Sequence, residues 1–410
     1  MNYDVVVIGG GPAGMMAAGR AASRGRRVLL LEKNPNLGKK LLITGGGRCN
    51  VTNNKSDLRA MLVKYKKSDQ FLFSAFTQFG VKDTLAFFNE RGMPTKEENE
   101  GRIFPVSDSA KSVWELLVNY MKAGDVKVQT GAEVIGLSFD SSKKHLVIKT
   151  KDKKEITAKS CILATGGVSR PETGSTGDGF KWLKKLGHAI VANNFALVPI
   201  ALTDVWAKKL GGLTLKDIKL TALQNGQNQT SAKGRLLFTH FGISGPTILN
   251  LSQEIGELLK YGEVIVELDL FPSADQGALR KKLQELLVGE SNKKLKNVLS
   301  KLIPAALVAP ILELANVSGE TPSHSVSSED RKKLASLLKA IPLRVAGLLG
   351  AKAVVSSGGV ALEEIDFKTM QSRLIPNLYL IGDVLNIDRP SGGYSLQLCW
   401  TTGFVAGNNA

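Results

Sequence analysis

The chain opens with a run of apolar residues that ends in a cluster of glycines. Residues 5–14 are VVVIGGGPAG, and the apolar stretch from Val5 to Ile8 is typical of a buried parallel strand. A second apolar run, RVLLLE, ends at Glu32. This pattern predicts a strand, a tight turn, a helix and a second parallel strand within the first 32 residues.

Helical and strand-like patterns follow one another through the next part of the chain. Residues 33–56 are rich in Gly, Asn and Lys and predict a long functional loop. Apolar periodicity predicts helices at 69–79, 81–91 and 110–122, the last of them capped by Ser107 and Asp108. Short alternating runs at 126–161 predict a small antiparallel meander, and CILATGG then predicts a buried strand.

The pattern changes after about residue 195. Strand-like runs separated by turns at 196–270 predict a small β-barrel or sandwich, and amphipathic patterns at 273–340 predict helices. Buried-strand patterns with glycine turns return near the C-terminus. We therefore predict an α/β fold with four segments: a nucleotide-binding domain at 1–194 and 343–410, an inserted β-barrel-like subdomain at 195–272 and a helical subdomain at 273–342.

The first glycines form G-x-G-x-x-G between a strand and a helix, which is the fingerprint of a dinucleotide site. Gly9 makes the tight turn, Gly11 lets a pyrophosphate approach the backbone, and Gly14 lets the helix pack on the strand. The helix N-terminus offers free N–H groups to the pyrophosphate. Glu32 can accept hydrogen bonds from a ribose, which favours FAD or NAD over NADP; a tight turn without a ligand is the alternative.

A second glycine-rich element lies near the C-terminus. The strand LYLIG ends at Asp383, and Gly392 and Gly393 precede a helix that starts at Tyr394. In two-domain flavoproteins of the glutathione-reductase type, such an aspartate contacts the ribityl and phosphate arm of FAD. The helix after it points its N-terminus at the pyrimidine end of the flavin, where negative charge gathers on reduction.

Composition excludes several classes of protein. The chain has 410 residues, no segment apolar enough for a membrane span, and three cysteines without a C-x-x-C spacing. We predict a cytoplasmic protein without a disulfide framework, and the spacing of the four histidines predicts no metal site. The net charge is +17, but the lysines are scattered among acids and lack interleaved aromatics, so a solvated surface is favoured over nucleic-acid binding.

Three long stretches resemble one known family. They are KKLLITGGGRCNVTN at 39–53, LLFTHFGISGPTILNLS at 236–252 and IDRPSGGYSLQLCWTTGFVAG at 387–407. They resemble the bacterial flavoproteins once labelled NAD(FAD)-utilising dehydrogenases, which include aminoacetone oxidase and 3-dehydro-bile acid reductase. The resemblance implies non-covalent FAD, a glutathione-reductase-type FAD domain and an inserted domain that covers the flavin ring.

The loop TGGGRCN lies where disulfide reductases of this superfamily carry a redox pair of cysteines. Cys49 is present, but Asn54 stands where the second cysteine would be, which argues against a disulfide reductase. Cys49 is either a flavin-facing thiol or a packing residue. Arg48 and Lys40 are candidates for pairing with the pyrophosphate or an anionic substrate.

The predicted cofactor-binding residues come from all of these segments. They are Gly9, Gly11, Pro12, Ala13, Gly14, Glu32, Lys33, Lys40, Gly46, Gly47, Arg48, Cys49, Asn50, Val134, Thr165, Gly166, Gly382, Asp383, Gly392, Gly393, Tyr394, Ser395 and Leu396.

The predicted catalytic candidates are Cys49, Tyr394 and His240, the last within the insertion. No second dinucleotide motif is present, so NAD(P)H would dock transiently at the flavin, or the organic substrate itself would be the donor. The expected function is hydride transfer through flavin N5, either in amine or amino-ketone oxidation or in reduction of an activated C=C bond of a small molecule. The alternative is an RNA-associated or tRNA-modifying flavoprotein that uses the basic surface.

Overall fold

The chain has two separate hydrophobic cores. The computed structural model describes residues 3–55, 57–191, 195–349, 355–356 and 358–410. One compact unit comprises Met1–Ala196 and Ala351–Ala410, and the other comprises Leu197–Gly350. Each unit has its own cluster of buried apolar side chains. The finer division of the insertion into a barrel-like and a helical subdomain stays a prediction.

The first unit is built on a mixed sheet in which β1, β2, β9 and β20 are parallel, as the apolar runs predicted. Strands and helices are numbered along the whole chain. The strands of this unit are β1 Tyr3–Ile8, β2 Val28–Glu32, β3 Thr52–Asn53, β4 Thr95–Glu98, β5 Arg102–Pro105, β6 Lys127–Thr130, β7 Val134–Asp140, β8 His145–Thr150, β9 Glu155–Leu163, β10 Ile190–Val191, β11 Phe195–Ala196, β18 Val355–Ser356, β19 Gly359–Val360 and β20 Leu378–Leu380.

The main sheet has the order β6-β2-β1-β9-β8-β7, and β20 also pairs with β9. β1 is parallel to both β2 and β9, and β20 is parallel to β9. The predicted meander is correct for β7, β8 and β9, which are antiparallel. It is wrong for the segment KVQ, because β6 pairs in parallel with β2 at the sheet edge.

The first unit contains seven α-helices among the described residues. They are α1 Pro12–Ser23, α2 Leu58–Leu62, α3 Asp69–Gln78, α4 Val81–Asn89, α5 Ala110–Ala123, α6 Asp178–Lys185 and α13 Tyr394–Asn409. Of these, α1 packs on β1, β2 and β9 of the main sheet. The predicted cap of α5 is wrong: Ser109 rather than Ser107 or Asp108 accepts from the Lys111 N–H. The predicted loop at 33–56 contains a 3-10 helix, Leu41–Gly47, and the short strand β3.

Helices α1 and α13 pack closely because glycines line the contact. A Cβ at Gly403 would lie 2.6 Å from the Ala13 carbonyl oxygen, and one at Gly407 would lie 2.5 Å from that of Ala17. The matching four-residue steps mean that the helices run in the same direction. Tyr394 starts α13 nine residues before Gly403, and Pro12 starts α1 one residue before Ala13, so at 1.5 Å per residue α13 begins about 12 Å upstream of α1.

The second unit contains a closed six-stranded barrel with the order β12-β15-β14-β13-β16-β17. Every described pairing in it is antiparallel, and β12 closes the ring by pairing with both β15 and β17. Its strands are β12 Ile200–Leu202, β13 Thr214–Gln224, β14 Gln227–Thr239, β15 Gly242–Ser244, β16 Ile265–Asp269 and β17 Ile341–Leu348. Alternate residues such as Leu220, Ala222 and Val266 are fully buried, as expected for strands with one face on a core.

The helices of the second unit are α7 Val205–Lys208, α8 Pro246–Leu258, α9 Gln276–Gly289, α10 Leu295–Leu299, α11 Ala305–Ala315 and α12 Ser328–Lys339. The last four lie between β16 and β17 in the chain, where the sequence predicted helices. Over the described residues, no helix combines the length and the apolar character that crossing a bilayer requires. All three cysteines are buried and free.

Candidate functional site

The carboxyl ends of four parallel strands meet at one edge of the main sheet. β1 ends before Gly9, β2 ends at Glu32, β9 ends before Thr165, and β20 ends before Gly382 and Asp383. This edge is where open α/β sheets bind their ligands. The topology therefore brings together predicted residues that lie far apart in the sequence.

The three glycines of the first turn differ in what surrounds them. A Cβ at Gly9 would lie 2.4 Å from the Ala164 carbonyl oxygen, and one at Gly14 would lie 1.9 Å from the Gly9 carbonyl oxygen. A Cβ at Gly11 would meet no atom within 4 Å. Gly9 and Gly14 are therefore required by packing, whereas Gly11 leaves an open approach to the backbone. α1 begins at Pro12 and has no side-chain cap on its N–H groups, as a pyrophosphate site requires.

Glu32 is buried at the end of β2, and its carboxylate is well placed for a ribose. Its Oε2 accepts from the Gly10 N–H at 2.7 Å, and its Oε1 accepts from the Asn34 backbone and side-chain N–H groups at 2.8 Å. A carboxylate oxygen can accept more than one hydrogen bond, so Oε2 can also accept from a hydroxyl. The Ala132 N–H donates to the Glu32 carbonyl. Val134 follows Ala132 by two residues, so the backbone at Val134 lies near the end of β2.

Two predicted lysines have partners within the protein. Lys33 donates to Thr176 and forms an ion pair with Asp178 at 3.1 Å. Lys40 donates to the Ser169 hydroxyl at 3.1 Å. Burial lowers the pKa of Lys40, and the nearby charge of Asp383 opposes that shift.

The glycine-rich loop has an unusual backbone. Gly45, Gly46 and Gly47 have φ values of 57°, 69° and 87°, and Cys49 has φ 63°. A Cβ at Gly46 or Gly47 would meet nothing within 4 Å, so this backbone is open to a ligand.

Two polar atoms near this loop and at the end of β9 are buried without a partner. The Asn50 Oδ1 and the Thr165 Oγ1 have no hydrogen-bond partner among the described residues. Thr165 precedes Gly166, which has φ 72°. Because a buried polar atom without a partner is costly, these atoms support a polar ligand at this edge.

Arg48 is held by protein carboxylates. It forms ion pairs with Glu98 and Asp108, and its guanidinium lies 4.2 Å from the centre of the Phe104 ring. Both carboxylates raise the pKa of Arg48, so it is charged at all ordinary pH values. These contacts give it a role in fixing the loop; its predicted role in binding the cofactor stays a prediction.

Cys49 belongs to this loop, and its thiol is buried. Burial raises the pKa of Cys49 to about 12, and a hydrogen bond with Thr44 opposes the shift only in part. The thiol is therefore neutral at ordinary pH. It is not poised as a nucleophile, but it retains a proton that it can donate.

At the C-terminal side of the site, Asp383 forms a buried ion pair with Arg389. The Arg389 guanidinium also donates to the Ile387 carbonyl at 2.7 Å and to the Ser395 hydroxyl at 3.1 Å. Burial by itself would raise the pKa of Asp383, but Arg389 and Lys40 hold it below its ordinary value. Sequence reasoning missed Arg389, although it lies inside the stretch IDRPSGGY.

The start of α13 is fixed by contacts with distant segments. Gly392 and Gly393 have φ 119° and 100°, and a Cβ at Gly393 would lie 2.4 Å from the Thr52 carbonyl. The Asn53 side chain donates to the Gly392 carbonyl at 3.1 Å, and the Tyr65 hydroxyl donates to the Tyr394 carbonyl at 2.8 Å.

Further into α13, the Thr52 hydroxyl donates to Gln397, and the Trp400 indole donates to the Val51 carbonyl at 2.9 Å. Leu396 is buried, and the helix has no side-chain cap. The uncapped N–H groups and their positive dipole end are thus held rigidly at one end of the site. Burial raises the pKa of Tyr394, which keeps its hydroxyl protonated.

His240, the third catalytic candidate, belongs to the second unit. It is exposed just after β14, and its ring lies edge-on to Phe241 with the ring centres 4.9 Å apart. Its catalytic role stays a prediction.

The residues of the first unit fit FAD. The open Gly11, the uncapped α1, the unpartnered polar atoms and Glu32 suit the adenosine and pyrophosphate parts. The start of α13 lies about 12 Å upstream of the start of α1, a distance that a ribityl arm and a flavin ring can bridge. Asp383 follows β20, the strand that pairs with β9 at this edge, and its predicted contact with the ribityl arm stays a prediction.

Comparison with known proteins agrees with this geometry. Residues 3–409 match the model of the HI0933-like protein Rossmann domain. The chain is 33% identical over 98% of both chains to the 3-dehydro-bile acid delta(4,6)-reductase of Clostridium scindens. It is 30% identical over 98% of its own length and 97% of the other to the ribosomal RNA dihydrouridine synthase of Escherichia coli.

Among solved structures, the fold is similar to that of 3-ketosteroid delta1-dehydrogenase from Sterolibacterium denitrificans. The TM-score is 0.57 at 14% identity, over 100% of this chain and 99% of the other. At that identity the likeness concerns the fold alone. The family match and the two full-length relatives decide the identity: the chain belongs to the HI0933-like Rossmann family and is an FAD-dependent oxidoreductase.

Proposed function

We propose that this protein reduces a C=C bond conjugated with a carbonyl group, and that its substrate is a uridine in RNA. Dihydrouridine is uridine with the C5=C6 bond of the uracil saturated, and that bond is conjugated with the C4 carbonyl. A 3-dehydro delta(4) steroid carries the same arrangement of C=C and C=O. The two full-length relatives are named for these two reactions, which supports reduction of an activated double bond. Amine oxidation, the other predicted direction, has no such support.

Each residue group of the site has a task in this reaction. The backbone of Gly11 and the uncapped start of α1 bind the pyrophosphate, and Glu32 binds the ribose. The start of α13 holds its N–H groups where negative charge gathers during turnover. Bound FAD, once reduced, supplies an electron pair and one hydrogen to one carbon of the double bond.

The second hydrogen must arrive as a proton on the neighbouring carbon. Cys49 and Tyr394 are both protonated at neutral pH, because burial raises the pKa of each. Each group therefore carries a proton that it could give, although a pKa of about 12 and full burial make Cys49 a weak general acid at neutral pH. The electrons come from a pyridine nucleotide that reduces FAD. Because the sequence has no second dinucleotide motif, this donor docks only transiently at the flavin.

The observation that carries the choice of RNA over a steroid is charge. The chain has 54 Lys and Arg against 37 Asp and Glu, a net charge of +17. A neutral or anionic steroid needs no such surface, whereas RNA presents a phosphate with every nucleotide. The sequence pattern alone favoured a solvated surface; the full-length relative that acts on ribosomal RNA changes that balance.

The test uses the purified holoprotein under anaerobic conditions. Its flavin is reduced with dithionite, and single-stranded RNA containing uridine is then mixed with it. We expect the oxidised flavin spectrum to return and mass spectrometry to find dihydrouridine in the RNA. Return of the spectrum only with a 3-oxo-4-ene steroid would overturn the choice of substrate. Return of the spectrum with neither compound, but with oxygen after reduction by an amine, would overturn the proposed reaction.

A further inference from the structure

The lysine clusters of the chain differ in whether carboxylates compensate them. The clusters at 149–154 and 293–296 are compensated by ion pairs, namely Lys149–Glu155, Lys151–Glu133, Lys154–Asp152, Lys293–Glu290, Lys294–Glu320 and Lys296–Glu320. Lys181 likewise pairs with Asp178. Such clusters present little net charge to a partner, since the acid beside each lysine offsets it.

The segment from α2 through the 3-10 helix Val63–Ser68 is different. Arg59, Lys64 and Lys67 are exposed, and no ion pair joins them to a carboxylate among the described residues. The acids at the two ends of the segment are engaged with backbone: Asp57 accepts from the Ala60 N–H, and Asp69 accepts from the Gln70 N–H. Residues 57–69 hold four basic residues against these two acids, so the segment keeps a net positive charge at the surface.

Tyr65 ties this segment to the flavin end of the site. Its side chain is fully buried, and its hydroxyl donates to the Tyr394 carbonyl at 2.8 Å. The two tyrosine rings are edge to face with centres 6.3 Å apart, and Phe76 supports the Tyr65 ring from another side at 5.2 Å. Lys64 is the neighbour of Tyr65 in the chain, so its backbone lies within one tyrosine length of the start of α13.

We propose that Arg59, Lys64 and Lys67, here called the basic ridge, bind the phosphates of RNA beside the uridine that reacts. This inference rests on the proposed function. A uracil can place its C5=C6 bond against a flavin only when its base leaves the stack, so the backbone on either side of it must pass the mouth of the site. The segment that Tyr65 ties to the start of α13 carries these cations, which can bind the phosphates of that backbone without reading its sequence.

The experiment compares two double variants of the holoprotein. Lys64→Gln with Lys67→Gln removes charge from the basic ridge. Lys184→Gln with Lys185→Gln removes the same charge from exposed positions of the same unit, at the end of α6. Binding to a fluorescent oligouridylate is measured at several salt concentrations, after checking that each variant carries the same amount of FAD as the wild type.

We expect the ridge variant to bind oligouridylate more weakly than the wild type. We also expect its affinity to depend less on salt: the slope of log K against log salt should become shallower by about 0.7 for each phosphate contact removed. The control variant should keep the wild-type slope. If the ridge variant keeps the wild-type slope while the wild type binds and reduces RNA, the proposed RNA-binding role of the basic ridge is overturned and the proposed function stands. If the wild type neither binds oligouridylate nor reduces RNA uridine, both are overturned.

Discussion

Gly403 of α13 lies directly against the carbonyl of Ala13 in α1, close enough that a Cβ would be 2.6 Å from that oxygen. This contact sets the offset between the two helix starts, which we predict to face the pyrophosphate and the flavin ring of FAD. Because backbone rather than a flexible side chain is in the way, the helices themselves must move to admit a methyl group.

We predict that Gly403→Ala lowers the free energy of unfolding by about 1–3 kcal/mol and weakens FAD binding, since the α13 start shifts relative to α1. Urea denaturation and a flavin-fluorescence titration of the apoprotein measure the two effects. Gly289→Ala is the matched control, because a Cβ there meets no atom within 4 Å. Equal losses of stability and of FAD affinity in both variants would show that the α1–α13 contact is not their cause.

We predict that the Glu32 carboxylate is needed for tight binding of FAD. In Glu32→Gln, one amide hydrogen must face an N–H of Gly10 or Asn34, because the carboxylate accepts from both residues. A hydrogen bond to a charged group contributes about 1.5–3 kcal/mol, so the Kd for FAD should rise about tenfold or more. Glu115→Gln, an exposed acid on α5, should leave the Kd unchanged. An unchanged Kd in Glu32→Gln would exclude Glu32 from the ribose site.

The Asp383–Arg389 pair predicts a dependence of stability on pH. Arg389 and Lys40 hold the pKa of Asp383 below its ordinary value, so the unfolded chain binds this proton more readily than the folded one. The stabilisation is therefore complete above about pH 4 and is lost as the pH falls through the folded pKa. Urea denaturation of the apoprotein should show this loss in the wild type and a smaller one in Asp383→Asn.

At neutral pH, Asp383→Asn leaves the buried Arg389 without a counter-charge, which costs about 3–5 kcal/mol when one partner of a buried pair is removed. The double variant Asp383→Asn with Arg389→Met removes both charges and should recover part of that loss. A double variant that is less stable than either single variant would mean that Arg389 acts mainly through Ile387 and Ser395.

We predict that the thiol of Cys49 is unreactive in the native protein. Burial raises the pKa of Cys49 to about 12 and that of Cys399 to about 12, and it also raises the pKa of Cys161. Since the thiolate is the reactive form, iodoacetamide at about pH 8 should leave the native protein unmodified and label all three cysteines after unfolding in urea. Rapid labelling of Cys49 alone in the native protein would contradict the buried, neutral thiol and reopen a nucleophilic role.

The sequence was sufficient where the fold depends on residues close together in the chain. Gly9, Gly11, Gly14 and Glu32 lie within one β-α-β unit, and the spacing predicts that unit and the close packing at Gly9 and Gly14; their roles toward the cofactor stay predictions. It was insufficient where partners are hundreds of residues apart. Nothing near Tyr65 in a lysine-rich stretch indicates that its hydroxyl reaches the Tyr394 carbonyl.

The wrong cap of α5 has a similar cause. Asp108 has the short polar side chain and the position of an N-cap, but its carboxylate pairs with Arg48 and Lys96 from other segments. A long-range charge contact thus overrode a local preference, and Ser109 took the cap. The parallel direction of β6 was missed for the related reason that strand direction depends on the partner strand, here β2, and not on the alternation of residues within β6.

His188, Glu364 and Ser372 form an arrangement that resembles a hydrolytic triad. The His188 Nδ1 lies 2.7 Å from the Glu364 carboxylate, and its Nε2 lies 3.0 Å from the Ser372 hydroxyl. The Ser372 oxygen, however, accepts from the backbone N–H groups of Leu374 and Ile375, and the residue is buried. A serine so engaged is not available to a substrate, so we assign the three residues a structural role.

This network joins the two segments of the first unit on either side of the insertion. β10 follows His188 in the chain and pairs with β19, which precedes Glu364. We predict that His188→Ala lowers the free energy of unfolding by about 2 kcal/mol or more, because Glu364 and Ser372 lose a buried partner. The exposed His324→Ala is the control. Hydrolysis of p-nitrophenyl acetate that disappears in Ser372→Ala would instead identify a nucleophile; we expect none from the wild type.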